Sequence, residues 1–279
     1  MKKTHPTDAD LTRVCEFVYR RTGLVYGDNK RYYVERRVAL RMRATGASDF
    51  ATYYAKLGLD AGEAEALVNA FTVNETYFYR EKHQLQTLSG AVLPIVTTNK
   101  GPGESIRIWS MPCATGEEPY SIAIWLLENW PLVDAYNVEI VGSDIDTDVL
   151  DAARAGEYGA RALASLPDDL KARYFEPAGP ESWELIQDLR ESVRFTAANL
   201  VDSASLAAQG PFDIIFCRNL LIYFDAASRE VALDNLYRAL ASGGFVFLGH
   251  TESLAKVSER FIVTRFKESI AYRKPVDAR

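Results

Sequence analysis

Two adjacent glutamates, Glu117 and Glu118, follow a turn of small residues, Cys113, Ala114 and Gly116. Pro119 and an amphipathic run, PYSIAIWLLE, come next, and a buried-looking strand, IRIWSM, leads into the turn. Strand, small-residue turn and helix are the parts from which dinucleotide folds build a phosphate site, using several glycines and the N–H groups of the helix start. This turn has one glycine and two carboxylates, which would repel a pyrophosphate. The acids have two readings. They complement the positive end of the helix dipole, or they face a ligand that is itself cationic.

S-adenosylmethionine fits the second reading, because it carries an ammonium and a sulfonium, no phosphate, and an adenosine to be cradled. The next strand, VEIVGSDID, ends in Asp144 and Asp146. An acid at the tip of the second strand is placed to accept ribose hydroxyls. Asp144 is the better candidate, since Asp146 directly precedes a helix and suits its N-cap. Asn199 in TAANLVD and Asn219 in FCRNLLIYFD follow two further strands and project toward the same crevice. Each is equally a turn or cap residue when taken singly. The segment FTVNETYFYREKHQ, Phe71 to Gln84, sets Asn74, Thr76 and Arg80 among the rings of Tyr77, Phe78 and Tyr79. It either seals an interface or lies over a bound cofactor.

These residues must be positioned by 279 residues of ordinary globular composition, enough for about two domains. The net charge of -6 hides an asymmetry. Residues 1–56 hold twelve Lys/Arg against six Asp/Glu, so a basic front end precedes an acidic body. That balance argues against wholesale nucleic-acid binding. Cys15, Cys113 and Cys217 lack metal-ligand spacing and read as buried thiols, and no metal is expected. No secretory or membrane-spanning apolar run is present, so a cytoplasmic protein is expected.

Helical periodicity runs through residues 8–70, with Gly23, Gly46 and Gly58 as stops and Ser48 as a cap. From residue 106 near-continuous apolar strands alternate with amphipathic helices: IRIWSM, VEIVGSD, VRFTAAN, FDIIFCRN and GFVFLGH. That is an α/β fold with a parallel sheet covered on both faces. FIVTRF and SIAYRKP close it with an antiparallel hairpin, a combination typical of nucleoside-dependent methyltransferases. The expected domains are a helical one over 1–73 and a Rossmann-like methyltransferase domain over 74–279, with a small β subdomain inserted around 172–196.

Five motifs in order, NETYFYRE, CATGEEPYSIA, GSDIDTDVLDAARAGEY, FDIIFCRNLLIYFD and GFVFLGHTESL, resemble the chemotaxis receptor glutamate methyltransferase family. The resemblance implies an N-terminal all-α domain, a methyltransferase domain and an inserted antiparallel subdomain. It implies methyl transfer from S-adenosylmethionine to glutamate side chains on the cytoplasmic helices of chemoreceptors, with S-adenosylhomocysteine as product. Cofactor contacts are implied for Asn74, Thr76, Arg80, Glu117, Asp144, Asn199 with Leu200, and Asn219 with Leu220. Arg80 and Tyr223 are implied nearest the transferring methyl and the incoming carboxylate. The chain departs from the family pattern at Tyr79, where a second Phe is usual, and at Met111–Cys113, where small residues are usual.

Methyl transfer to a carboxylate needs little acid–base help, because glutamate is ionised at neutral pH. Alignment and exclusion of water carry the reaction. Arginine does not deprotonate usefully, so Arg80 is expected to orient rather than to act as an acid. The run KRYYVERRVALRMR carries six bases against one acid. At helical spacing Arg36 and Arg43 share one side, and Arg37 and Arg41 share another with Lys30. It is a solvated helix or, with an acidic helical substrate, a receptor-docking surface made by Arg36, Arg37, Arg41 and Arg43. A monomer without nucleic-acid partners is expected.

Overall fold

The structure, a computed structural model, describes residues 6–98, 100–206, 209–252 and 260–276. Ser253 and Leu254, which end the fifth motif, lie outside the described residues. The chain divides into two compact units: Met1–Val73 with Tyr223–Arg229, and Asn74–Ile222 with Glu230–Arg279.

The first unit packs four helices, α1 (Asp8–Thr22), α2 (Arg31–Ala44), α3 (Phe50–Leu59) and α4 (Ala61–Phe71). Thr7 and Asp10 form a reciprocal capping box on α1, and Gly23, at φ +72°, ends it. Ser48 does not cap α3 as its position suggested. Asp49 does, accepting from the Thr52 amide at 2.8 Å, while the Ser48 hydroxyl donates to Asp49. A carboxylate is the stronger acceptor for an exposed helix start. α3 also runs through Gly58 to Leu59 before Asp60 caps α4. Val14, Val18, Val38, Tyr53, Leu67 and Phe71 form the core of this unit, each apolar side chain contributing about 1.5–3 kcal/mol on burial. The returning segment is tied in by an antiparallel bridge between Leu24 and Phe224 and by a Tyr19 hydroxyl that donates to Asp225 at 2.9 Å.

The second unit is built on a seven-stranded sheet. Its strands are β1 (Ser105–Ser110), β2 (Asn137–Asp144), β6 (Val193–Ala197), β7 (Phe212–Cys217), β8 (Leu240–Leu248), β9 (Ile262–Arg265) and β10 (Ile270–Arg273), ordered β6-β2-β1-β7-β8-β10-β9. The first five pair in parallel, and β10 is antiparallel to both β8 and β9. Ile106, Ile108, Ile214, Phe216, Phe245 and Phe247 are fully buried in it, which explains the unbroken apolar runs. β8 begins at Leu240, ahead of the expected GFVFLGH. Gly244 lies inside the strand because a Cβ there would come within 2.8 Å of the Asp213 carbonyl.

The small β subdomain is a separate antiparallel sheet, β3-β5-β4, of β3 (Glu157–Gly159), β4 (Phe175–Gly179) and β5 (Ser182–Leu185). It reaches further toward the N-terminus than 172, since β3 is too short to display an alternating pattern in sequence. The VRFTA stretch at its other side belongs to the main sheet, against β2. Among the described residues no helix is long and apolar enough to cross a membrane.

Candidate active site

β1 has β2 on one side and β7 on the other, so the direction of winding reverses there. Ligands of open α/β sheets lie beyond the carboxyl ends of the strands at such a point. The turn after β1 is fastened to both neighbours: the Met111 amide donates to the Phe216 carbonyl and the Cys113 amide to the Ser143 carbonyl. Gly116 takes φ +92°, and a Cβ there would lie 2.9 Å from the Ala153 methyl and 3.1 Å from both the Tyr120 ring and the Tyr158 hydroxyl. Only glycine fits. The Tyr158 hydroxyl, from β3, donates to the Thr115 carbonyl at 2.9 Å and fixes the turn from outside.

The two glutamates of the turn have opposite circumstances. Glu118 Oε2 lies 2.9 Å from Arg218 Nη1 and its Oε1 accepts from Ser110 at 2.7 Å. It therefore neutralises a buried arginine and is not available to a ligand. Glu117 is also buried, but its carboxylate accepts from the Thr115 hydroxyl at 2.6 Å and from its own main-chain amide, with no basic partner among the described residues. Burial raises its carboxyl above the ordinary range. A buried carboxylate without a counter-ion is the electrostatic complement of a cationic ligand.

Asp144 ends β2 and is 3% exposed. Its Oδ2 accepts from the Ala114 amide at 2.9 Å and its Oδ1 from the Asp146 amide at 3.0 Å. Each oxygen keeps a further acceptor direction, as hydroxyl donors require. Burial pushes its carboxyl up to about 6, against the opposing pull of those amides. Asp146 caps the helix Thr147–Ala155 through the Asp148 and Val149 amides, and it also accepts from Asn74 Nδ2 at 2.8 Å. Asn74 is thus fixed beside the end of β2.

Asn199 Oδ1 accepts from the Val201 amide at 3.1 Å, so its side chain shapes the turn after β6. Leu200 is buried, and its carbonyl accepts from Asn235. Asn219 follows β7 in the left-handed region, φ +60°, and its amide donates to Glu252 Oε2 at 2.7 Å. Gly249 lies close against this turn: a Cβ there would lie 3.1 Å from the Asn219 main-chain nitrogen. Thr76, Arg80 and Leu220 are half-buried, and Arg80 Nη1 donates to the Glu75 carbonyl at 2.7 Å. Tyr223 groups with the helical unit, where Lys30 Nζ stands 4.9 Å from its ring centroid.

Of the four arginines expected from sequence to form a docking surface, two serve the fold of the helical unit. Arg41 forms a two-pronged pair with buried Glu63, at 3.0 and 2.5 Å. Arg37 lies over the Tyr33 ring and donates to the Ala70 carbonyl. Arg36 and Arg43 are exposed.

Sequence reasoning missed Arg218, Glu81, Glu252 and Tyr158. Arg218 was open to detection as the one base inside the apolar run Phe212–Tyr223. Glu252 holds the Asn219 and Gly249 amides, and nothing in its local pattern announces this.

A nucleoside-type crevice at a sheet reversal, with an unpaired buried carboxylate in place of a phosphate cradle, fits S-adenosylmethionine and defines an S-adenosylmethionine-dependent methyltransferase. The comparisons with known proteins agree. Residues 74–270 match the family described as CheR methyltransferase, SAM binding domain, and residues 9–72 match CheR methyltransferase, all-alpha domain. The chain belongs to the CheR methyltransferase family. It is 45% identical over 271 residues to chemotaxis protein methyltransferase 2 of Vibrio cholerae serotype O1, covering 96% of this chain and 94% of that one. It is 38% identical to chemotaxis protein methyltransferase 2 of Pseudomonas aeruginosa, covering 91% and 90%. It is 35% identical to the chemotaxis protein methyltransferase of Escherichia coli K12, covering 91% and 88%.

Proposed function

We propose that this protein transfers methyl from S-adenosylmethionine to glutamate side chains of chemoreceptors, giving glutamate methyl esters and S-adenosylhomocysteine. The observation that carries this reading is Glu117: a buried carboxylate without a basic partner, inside the segment that matches the family's cofactor-binding domain. When bound, S-adenosylmethionine supplies a methyl on a sulfonium, and the C–S bonding pair returns to sulfur as a carboxylate oxygen takes the carbon. Glu117 balances the ammonium, and Asp144 accepts the ribose hydroxyls. Asn74, Thr76, Asn199, Leu200, Asn219 and Leu220 complete the cofactor contacts. Arg80 orients the incoming carboxylate and Tyr223 hydrogen-bonds its oxygen. No group must gain or lose a proton for transfer, so positioning dominates the acceleration.

The substrate is taken to be the cytoplasmic helical region of the receptor, and the enzyme a cytoplasmic monomer without nucleic-acid partners. Docking is assigned to α2, now chiefly to Arg36 and Arg43. Reversing both to Glu is expected to lower methylation of a receptor fragment about fivefold, on the scale of exposed charge pairs, with S-adenosylhomocysteine affinity unchanged. Equal loss of affinity would remove the docking role.

The deciding experiment incubates the protein with radiolabelled S-adenosylmethionine and purified chemoreceptor cytoplasmic fragments, followed by mild alkali. Volatile labelled methanol is the expected product. Alkali-stable label would mean another acceptor atom and would overturn the ester reading.

A further inference from the structure

Arg218 follows β7 and its side chain is 3% exposed. Its guanidinium makes three contacts with two segments, the first turn of the helix Glu117–Asn129 and the adjacent residues Arg80 and Glu81. Nη1 lies 2.9 Å from Glu118 Oε2, Nη2 donates to the Arg80 carbonyl at 2.8 Å, and Nε stands 3.7 Å from Glu81 Oε2. The last distance is too long for a hydrogen bond and acts through charge alone. Glu81 is held in turn by Gln84 Nε2 at 2.8 Å and by the His250 amide at 3.3 Å. One neighbour of each is a residue assigned to the cofactor: Glu117 beside Glu118, Arg80 beside Glu81, Asn219 beside Arg218.

The backbone on either side of Arg80 is unusual. Tyr79 has φ +59° and Glu81 φ +54°. Left-handed residues with a Cβ cost about 1 kcal/mol each and persist only where their surroundings over-determine them. Here the Tyr79 amide donates to Ser121 Oγ at 3.0 Å, and Arg218 clamps the carbonyl between the two strained residues. A buried ion cluster is a weak source of stability compared with apolar packing. What this one supplies that packing cannot is a fixed direction for a particular main-chain carbonyl, and so for the side chain that leaves the same residue.

We infer that Arg218 is a positioning residue that aims the Arg80 side chain into the cofactor site through the Arg80 carbonyl, with Glu118 and Glu81 holding the guanidinium in place. The inference rests on the proposed role of Arg80. Lysine can keep the charge beside Glu118, but it cannot hold Glu118 and the Arg80 carbonyl with a planar fork.

The test is a double-mutant cycle on the full-length chain, with S-adenosylhomocysteine affinity read by calorimetry and thermal midpoints recorded alongside. Arg218→Met is expected to weaken binding about tenfold when Arg80 is present and less than twofold in an Arg80→Ala background. Arg218→Lys, a second variant in case Met does not fold, is expected to restore the thermal midpoint but not the affinity. An equal factor in both backgrounds overturns the inference, and so does Lys restoring affinity together with stability. A wild type that binds S-adenosylhomocysteine but methylates no chemoreceptor overturns the proposed substrate alone, with the cycle still deciding Arg218. A wild type that does not bind it overturns both.

Discussion

The two ends of the main sheet treat charge in opposite ways. At the amino ends of the strands, strand charges are paired with side chains. Lys100 pairs with Asp213 at 3.0 Å, and Arg107 and Arg194 both pair with Glu139, at 2.7 and 2.9 Å. At the carboxyl ends Glu117, Asp144 and Glu252 have backbone amides or a hydroxyl but no basic partner among the described residues. Among the described residues, the non-glycine residues in the left-handed region, Tyr79, Glu81, Ala114 and Asn219, all lie at that end as well. One edge pairs its charges within the chain; the other keeps carboxylates without basic partners and left-handed backbone, features that concentrate at ligand sites. Glu118, paired with Arg218, is the exception that shows how a carboxylate at this end looks when it serves the fold.

Glu118→Gln should therefore have the largest effect, stranding the buried Arg218 charge and lowering stability by about 3 kcal/mol in urea titration. A loss below 1 kcal/mol would erase the distinction between the two glutamates. Asp144 gives a pH test of similar size. Its carboxyl is raised by burial from the ordinary value to about 6, so its contribution to apo-protein stability is full below about pH 4 and lost as pH rises through 6. Relative to wild type, Asp144→Asn should gain about 2 kcal/mol between pH 4 and pH 7.5. The missing amide acceptor affects both pH values alike and drops out of that difference. No pH trend would mean that Asp144 is not raised. Glu117→Gln should leave the thermal midpoint at or above wild type while weakening S-adenosylhomocysteine about 30-fold, the scale of one charge-assisted contact of roughly 2 kcal/mol. The smallest effect belongs to the paired edge. Glu139→Gln should cost under about 1 kcal/mol and leave ligand affinity within twofold, and a larger change in affinity would break the contrast between the two ends.

Much of the carboxyl end was legible because its chemistry sits next to pattern breaks. Glu117 and Asp144 stand where an apolar strand stops, so strand periodicity and polarity locate them together. Arg218 stands at such a place too, but its partners Glu81 and Glu118 are distant in sequence, and pairing across loops leaves no local trace. The same limit explains Arg41. In residue type and local sequence it resembles Arg43, and only the packing of α4 brings buried Glu63 to it. β3 escaped because three residues cannot display a period, and the role of Tyr158 at Gly116 escaped with it. Asp49 and Ser48 are adjacent cap residues whose order only the backbone decides.

The return of Tyr223–Arg229 to the helical unit bears on how the chain is made. A ribosome releasing this protein exposes Met1–Val73 early, with α1 to α4 all present, yet Phe224 is still to come for its bridge with Leu24, and Asp225 for the Tyr19 hydroxyl. The helical unit thus reaches its final form only after most of the sheet strands have been translated. A fragment cut at residue 73 should keep its helices and fray at Leu24 and Val25.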